Sequence, residues 1–188
     1  MNIEKEVRYA IKMTQFDEIR AISESQEDSQ KSLDLYMGYS GFDTLEAFGY
    51  VCRIRNTVSK TLLECKKRVD EITWIEQEIK LNSINDGYNF LSLLGMKPYL
   101  YISKEREVRK TKDLLLCLDV VEYLGCFIEI EFLRPQDSQN DFYLESFIKQ
   151  IGIQGNPAEL YGDILKHKLF FEDGFKKEFE SKLSEIIG

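Results

Sequence analysis

Apolar and polar residues alternate with a period of two in seven runs along the chain. In Ile3 to Tyr9, Ile3, Val7 and Tyr9 alternate with Glu4, Glu6 and Arg8; in Tyr50 to Asn56, Cys52 and Ile54 alternate with Arg53 and Arg55. Leu62 to Lys67 sets Lys66 on the face opposite Leu63 and Cys65, and Trp74 to Leu81 alternates Glu76 and Glu78 with Ile75 and Ile79. Leu100 to Val108 carries Lys104 and Arg106, Leu114 to Val121 carries Asp119, and Phe127 to Leu133 alternates Glu129 and Glu131 with Ile128, Ile130 and Phe132. Because successive strand side chains point to opposite faces, each run predicts a strand with an apolar and a charged face.

Helical spacing fills the intervals. Thr14 can cap a helix bearing Phe16, Ile19 and Ile22, which fades in the polar run Ser23 to Gln30. Asp86 to Leu94 reads as a short helix stopped by Gly95, and Asn140 to Ile151 as one stopped by Gly152. Asn156-Pro157 supplies a cap followed by proline, predicting a helix from there towards Lys168. Phe175, Phe179, Leu183 and Ile186 form the apolar stripe of a last helix, and an exposed version of that stripe is a candidate homodimer contact.

The expected fold is α+β, an antiparallel sheet with helices attached. The charges bear on its shape, because they are segregated by sign: Glu4/Glu6, Arg53/Arg55, Glu76/Glu78, Lys104/Arg106, Glu129/Glu131. A solvated face mixes signs more often, since like charges two residues apart repel. Amphipathic helices can only cover the apolar face. If the sheet curls to a closed or nearly closed barrel, the charged face becomes its lumen. The bases on that face are Arg8, Arg53, Arg55, Lys66, Lys104 and Arg106, and the acids Glu4, Glu6, Glu76, Glu78, Asp119, Glu129 and Glu131. Forked arginine donors suit phosphate oxygens, and paired carboxylates suit a hard divalent cation. Together they describe a site for a metal–polyphosphate complex.

Composition removes other chemistries. The 188 residues carry a formal charge of −8, which argues against general nucleic-acid binding, and one histidine, His167, which excludes zinc sites built on several histidines. No run is long and apolar enough for a membrane helix, and the start lacks the features of a signal peptide, so a cytoplasmic location is expected. Cys52, Cys65, Cys117 and Cys126 form no Cys-x-x-Cys pair and read as reduced core residues. No repeat or linker divides the chain, so residues 1–188 are expected to form one domain.

The charged motifs resemble the CYTH superfamily of triphosphate tunnel enzymes. The family's N-terminal Glu-x-Glu-x-Lys appears as Glu4-Lys5-Glu6-Val7-Arg8, its Arg-x-Arg strand as Arg53-Ile54-Arg55, and the following lysine strand as Leu63-Glu64-Cys65-Lys66. A central Glu-x-Glu matches Glu76-Gln77-Glu78 and a Lys-x-Arg matches Lys104-Glu105-Arg106. The late signature runs from Asp119-Val120-Val121 through Leu124-Gly125 to Phe127-Ile128-Glu129-Ile130-Glu131, and the resemblance extends from Ile3 to about Tyr161. Two positions depart from it. Arg8 replaces the signature lysine, and Trp74 stands where many relatives carry an arginine; a packing role is expected for Trp74.

The resemblance implies a triphosphate substrate (ATP, tripolyphosphate or thiamine triphosphate), with Arg8, Arg53, Arg55, Lys66, Lys104 and Arg106 gripping phosphate. It implies Mg²⁺ or Mn²⁺ on Glu4, Glu6, Glu129 and Glu131 with Asp119 assisting. Glu76 and Glu78 would orient a basic residue, a second metal or the nucleophile. The reactions it leaves open are class IV adenylate cyclisation, hydrolysis of tripolyphosphate, thiamine triphosphate or a nucleotide, and binding of polyphosphate without turnover; the late signature leans towards the cyclase. Tyr36, Tyr39 and Phe42, in a glycine-containing loop near the presumed tunnel mouth, are candidates for stacking on a base.

Overall fold

The computed structural model describes residues 2–39 and 49–187. Eight strands are present among them: β1 (Asn2–Ala10), β2 (Glu24–Gly38), β3 (Tyr50–Thr57), β4 (Thr61–Arg68), β5 (Thr73–Leu81), β6 (Lys97–Lys110), β7 (Leu114–Val121) and β8 (Gly125–Phe132). They close into a barrel in the order β1-β5-β4-β3-β2-β6-β7-β8. Five helices accompany it: α1 (Met13–Ile22), α2 (Ile84–Leu93), α3 (Asn140–Ile151), α4 (Tyr161–Phe171) and α5 (Asp173–Ile187). The expected α+β closed antiparallel barrel is therefore the observed one. None of the described helices is long and apolar enough to cross a membrane.

The chain divides into two compact units. The first comprises Met1–Lys31, Val69–Ile75 and Lys104–Ala158. Here β1 pairs with β8, and β7 with both β6 and β8. Val7 and Tyr9, Leu114, Leu116 and Leu118, and Ile128, Ile130 and Phe132 share one buried cluster with Phe16 and Ile19 of α1 and Phe147 and Ile151 of α3. The helices thus cover the apolar face of these strands, and period-two alternation turns Arg8, Asp119 and Glu129 the other way. Gly152 ends α3 in the left-handed conformation, as its sequence position suggests.

The second unit comprises Ser32–Arg68, Glu76–Ser103 and Glu159–Gly188. β3 pairs with β2 and β4, burying Leu35, Met37, Cys52 and Ile54. Ser83 caps α2 by accepting the Asp86 amide hydrogen at 3.1 Å. Phe179 of α5 is buried and stacks on Tyr101, ring centroids 4.4 Å apart.

Three sequence expectations are corrected. The polar run after α1 is not a fading helix but the first half of β2. Thr14 lies inside α1, whose start is fixed instead by the Gln15 side chain accepting the Lys12 amide hydrogen at 2.9 Å. The helix expected from Pro157 begins at Tyr161, because the Ala158 amide donates to the Arg8 carbonyl at 2.7 Å and keeps the segment beside β1.

Candidate functional site

Strand register gathers the predicted charges into an ion-pair cluster in each unit. In the first, Arg8 lies opposite Glu129, Glu6 opposite Glu131, and Arg106 opposite Asp119. Arg8 donates to Glu129 through a short charge-assisted hydrogen bond, with Glu6 4.0 Å away. Arg106 grips Asp119 with two donors, each at 2.6 Å, and reaches Glu129 at 3.0 Å; Lys104 adds a bond to Asp119 at 3.1 Å. Burial pushes the fully buried Asp119 carboxyl up, but Arg106 and Lys104 outweigh it and hold the group below the ordinary carboxylate range. Burial likewise pulls the Arg106 guanidinium down, and Asp119 and Glu129 more than reverse it. Asp119 is thus placed as the counter-ion that orients two of the predicted phosphate-binding groups.

In the second unit, Arg55 is held by Asp34 in a two-pronged pair at 2.7 and 2.9 Å and donates to Glu64 at 3.0 Å. Arg53 donates to Glu64 through a short bond, meets Asp34 at 3.3 Å, and donates to the Tyr36 hydroxyl at 3.2 Å. Lys66 lies 3.6 Å from Glu76. Burial raises the Glu64 carboxyl, but Arg53 and Arg55 prevail and keep it low. Neither Asp34 nor Glu64 was singled out from the sequence as a site residue, yet each is almost fully buried between arginines.

The divalent cation can be tested against these donors. Glu64, Glu76 and Glu78 each place one carboxylate oxygen so that all three lie within 4.8 Å of one another. That is a hard-oxygen donor set of the kind Mg²⁺ or Mn²⁺ takes. Burial and then the neighbouring Glu64 push the Glu78 carboxyl up, so the group carries crowded negative charge that a divalent cation would relieve. Glu4, Glu6, Glu129 and Glu131, the set implied for metal by the resemblance, lie on paired strands β1 and β8, with Glu129 also committed to two arginines.

Trp74 is buried, in keeping with a packing role. Tyr36 lies within β2 rather than in a loop; its ring is edge-on to Tyr99 at 6.3 Å, while Tyr39 is half exposed and Phe42 falls outside the described residues. The cysteines are not uniformly core residues: Cys52 and Cys117 are buried, Cys126 is half-buried and Cys65 is exposed.

The sequence pattern of the CYTH domain matches residues 2–159. The chain belongs to the CYTH family. Solved structures share this CYTH fold closely. The PH1819 protein of Pyrococcus horikoshii superposes with a TM-score of 0.75 at 25% identity, covering 88% of this chain and 99% of its own. A candidate adenylate cyclase of Vibrio parahaemolyticus gives 0.72 at 16% identity, over 88% and 98%. An adenylyl cyclase candidate of Hippeastrum, described as having a dominant triphosphatase activity, gives 0.63 at 20% identity, over 85% and 92%. No curated protein matches the chain in sequence.

Proposed function

We propose that this CYTH chain is a metal-dependent cytoplasmic enzyme acting on a small-molecule triphosphate. Arg8, Lys104 and Arg106 in the first unit, and Arg53, Arg55 and Lys66 in the second, take the phosphate oxygens. The observation that carries this reading is the pair of preorganised arginine–carboxylate clusters, whose guanidinium groups are held by buried acids in fixed orientations. Phosphoryl chemistry asks a protein chiefly for position and charge neutralisation, and these clusters supply both without histidine. Glu4, Glu6, Glu129 and Glu131 hold Mg²⁺ or Mn²⁺, with Glu64, Glu76 and Glu78 as a second acidic group for a cation. When bound, such a cation neutralises phosphate charge and polarises the phosphorus under attack.

The leading reaction is cyclisation of ATP, in which the ribose 3′-hydroxyl attacks the α-phosphorus and pyrophosphate leaves. The Tyr36–Tyr99 aromatic pair beside Arg53 favours it, offering ring surface for a base. Hydrolysis of a terminal phosphate is the second reading. It is supported by the raised carboxyl of Glu78, which suits a group that must take a proton from water, and by the activity described for the Hippeastrum relative. Incubation with ATP or tripolyphosphate plus Mg²⁺ or Mn²⁺, followed by product identification, decides. Cyclic AMP with pyrophosphate marks the cyclase and orthophosphate the hydrolase. Binding without turnover reduces the chain to a polyphosphate-binding module and removes the enzymatic reading.

A further inference from the structure

Cys52 of β3 and Cys65 of β4 are register partners on adjacent antiparallel strands. The Thr57 amide donates to the Lys60 carbonyl at 2.9 Å and the Arg68 amide to the Gly49 carbonyl at 3.1 Å, which sets the odd-numbered residues of β3 in hydrogen-bonded pairs. Alternation then places Cys52 and Cys65 in a non-hydrogen-bonded pair, where facing Cα atoms approach to about 4.5 Å. A disulfide spans Cα separations of about 4.4–6.8 Å, so the pair can close with little backbone movement. Both are free thiols, on the strand face opposite Arg53, Arg55, Glu64 and Lys66. Their accessibility is complementary, since Cys65 is exposed while Cys52 is 1% exposed.

We propose that Cys52 and Cys65 form a reversible dithiol–disulfide site that reacts with low-molecular-weight disulfides. The exposed Cys65 thiolate attacks one sulfur of the small disulfide, breaking its S–S bond and expelling one thiolate. The Cys52 sulfur then gives up its proton and attacks Cys65 Sγ, forming the Cys52–Cys65 bond and releasing the second small thiol. Two protein thiols are oxidised and one small disulfide is reduced to two thiols. Exposure makes Cys65 the attacking group, and burial directly opposite it makes Cys52 the resolving one. Cys117 is buried and faces Val108 and Glu129 on its neighbouring strands, so it has no cysteine opposite it with which to close a bond.

The test treats the full-length reduced chain with oxidised glutathione and follows intact mass and proteolytic peptides, a readout independent of any phosphate ligand. The expected product has lost two hydrogens, yields a linked Cys52–Cys65 peptide, and returns to the dithiol with dithiothreitol. Cys65→Ser, at an exposed position that tolerates the change, should leave Cys52 unoxidised. Cys52→Ser should stop with one glutathionyl group on Cys65. The proposal is overturned if the native chain accumulates glutathione on Cys65, links either residue to Cys117 or Cys126, or leaves Cys65 free for alkylation after prolonged treatment.

Discussion

Glu64 illustrates how much one buried side chain can carry. Its side chain has no exposure and serves two arginines, so Glu64→Gln leaves both guanidinium groups under-neutralised in a partly dry environment. Removing one member of a buried pair typically costs about 3–5 kcal/mol, and the retained amide oxygen places this substitution at about 3 kcal/mol. Urea denaturation at neutral pH checks it; a loss within experimental error would mean that water, not Glu64, satisfies Arg53 and Arg55. Acid should act on the same groups. Glu64 and Asp119 are held below their ordinary values, so the unfolded chain takes up their protons first as pH falls. Their contribution is complete above the ordinary carboxylate value of about 4 and is lost as pH drops towards the depressed folded values. Glu78 has the opposite sign. Its folded carboxyl is raised, so its contribution is lost as pH rises through that value, and Glu78→Gln in metal-free buffer should stabilise the chain at neutral pH but hardly at pH near 4. Equal shifts at both pH values would remove the Glu64–Glu78 repulsion from the account. Glu64 was legible: alternation in Leu63-Glu64-Cys65-Lys66 puts it on the face of Lys66. The lysine motif alone does not mark it.

At the scale of the element, what the sequence concealed was β2. Its first seven residues, Glu24 to Gln30, are polar on both faces and mostly exposed, so no period of two can announce them. Only Leu33, Leu35 and Met37 alternate, and they do so where the strand pairs with β3. Missing β2 also meant missing Asp34, the bidentate partner of Arg55. The displaced start of α4 has a different cause, since Asn156-Pro157 is a sound local cap signal that a tertiary hydrogen bond to Arg8 overrides. The remaining strands were readable because each has one face against a core and charge on the other. Helix α2 rests on β3 through Gly87, where an added Cβ would come within 2.6 Å of Leu81 and 3.0 Å of Ile54. Gly87→Val should therefore lose about 1–3 kcal/mol to overpacking. Gly87→Ala should lose less, because alanine recovers about 1 kcal/mol of helix propensity. If thermal unfolding finds valine as well tolerated as alanine, α2 does not seat as closely as Gly87 requires.

For the whole molecule, the balance of charge decides how ligands would bind. In the first unit Arg8, Lys104 and Arg106 are matched by Glu6, Asp119 and Glu129; in the second, Arg53, Arg55 and Lys66 are matched by Asp34, Glu64 and Glu76. The bases expected from sequence to await an anion are already paired with the protein's own acids. A polyphosphate must therefore compete with carboxylates for the guanidinium groups, within a chain of net charge −8 that repels it at longer range. A divalent cation must likewise compete with guanidinium groups for carboxylates. Each ligand releases the groups that the other needs, so binding of one should strengthen binding of the other. Such reciprocal coupling is typically about 1–3 kcal/mol, and ligand binding stabilises the folded state by mass action. Tripolyphosphate and Ca²⁺, a divalent cation chosen to bind without fast turnover, should together raise the melting temperature by more than their separate shifts combined, after correction for the complex they form in solution. Glu129→Gln should reduce that excess, because it removes one carboxylate exchanged between Arg8, Arg106 and the cation. Shifts that simply add, in the native chain, would mean that the ion pairs stay closed when ligands bind and that the charged strand faces are structural rather than a triphosphate site.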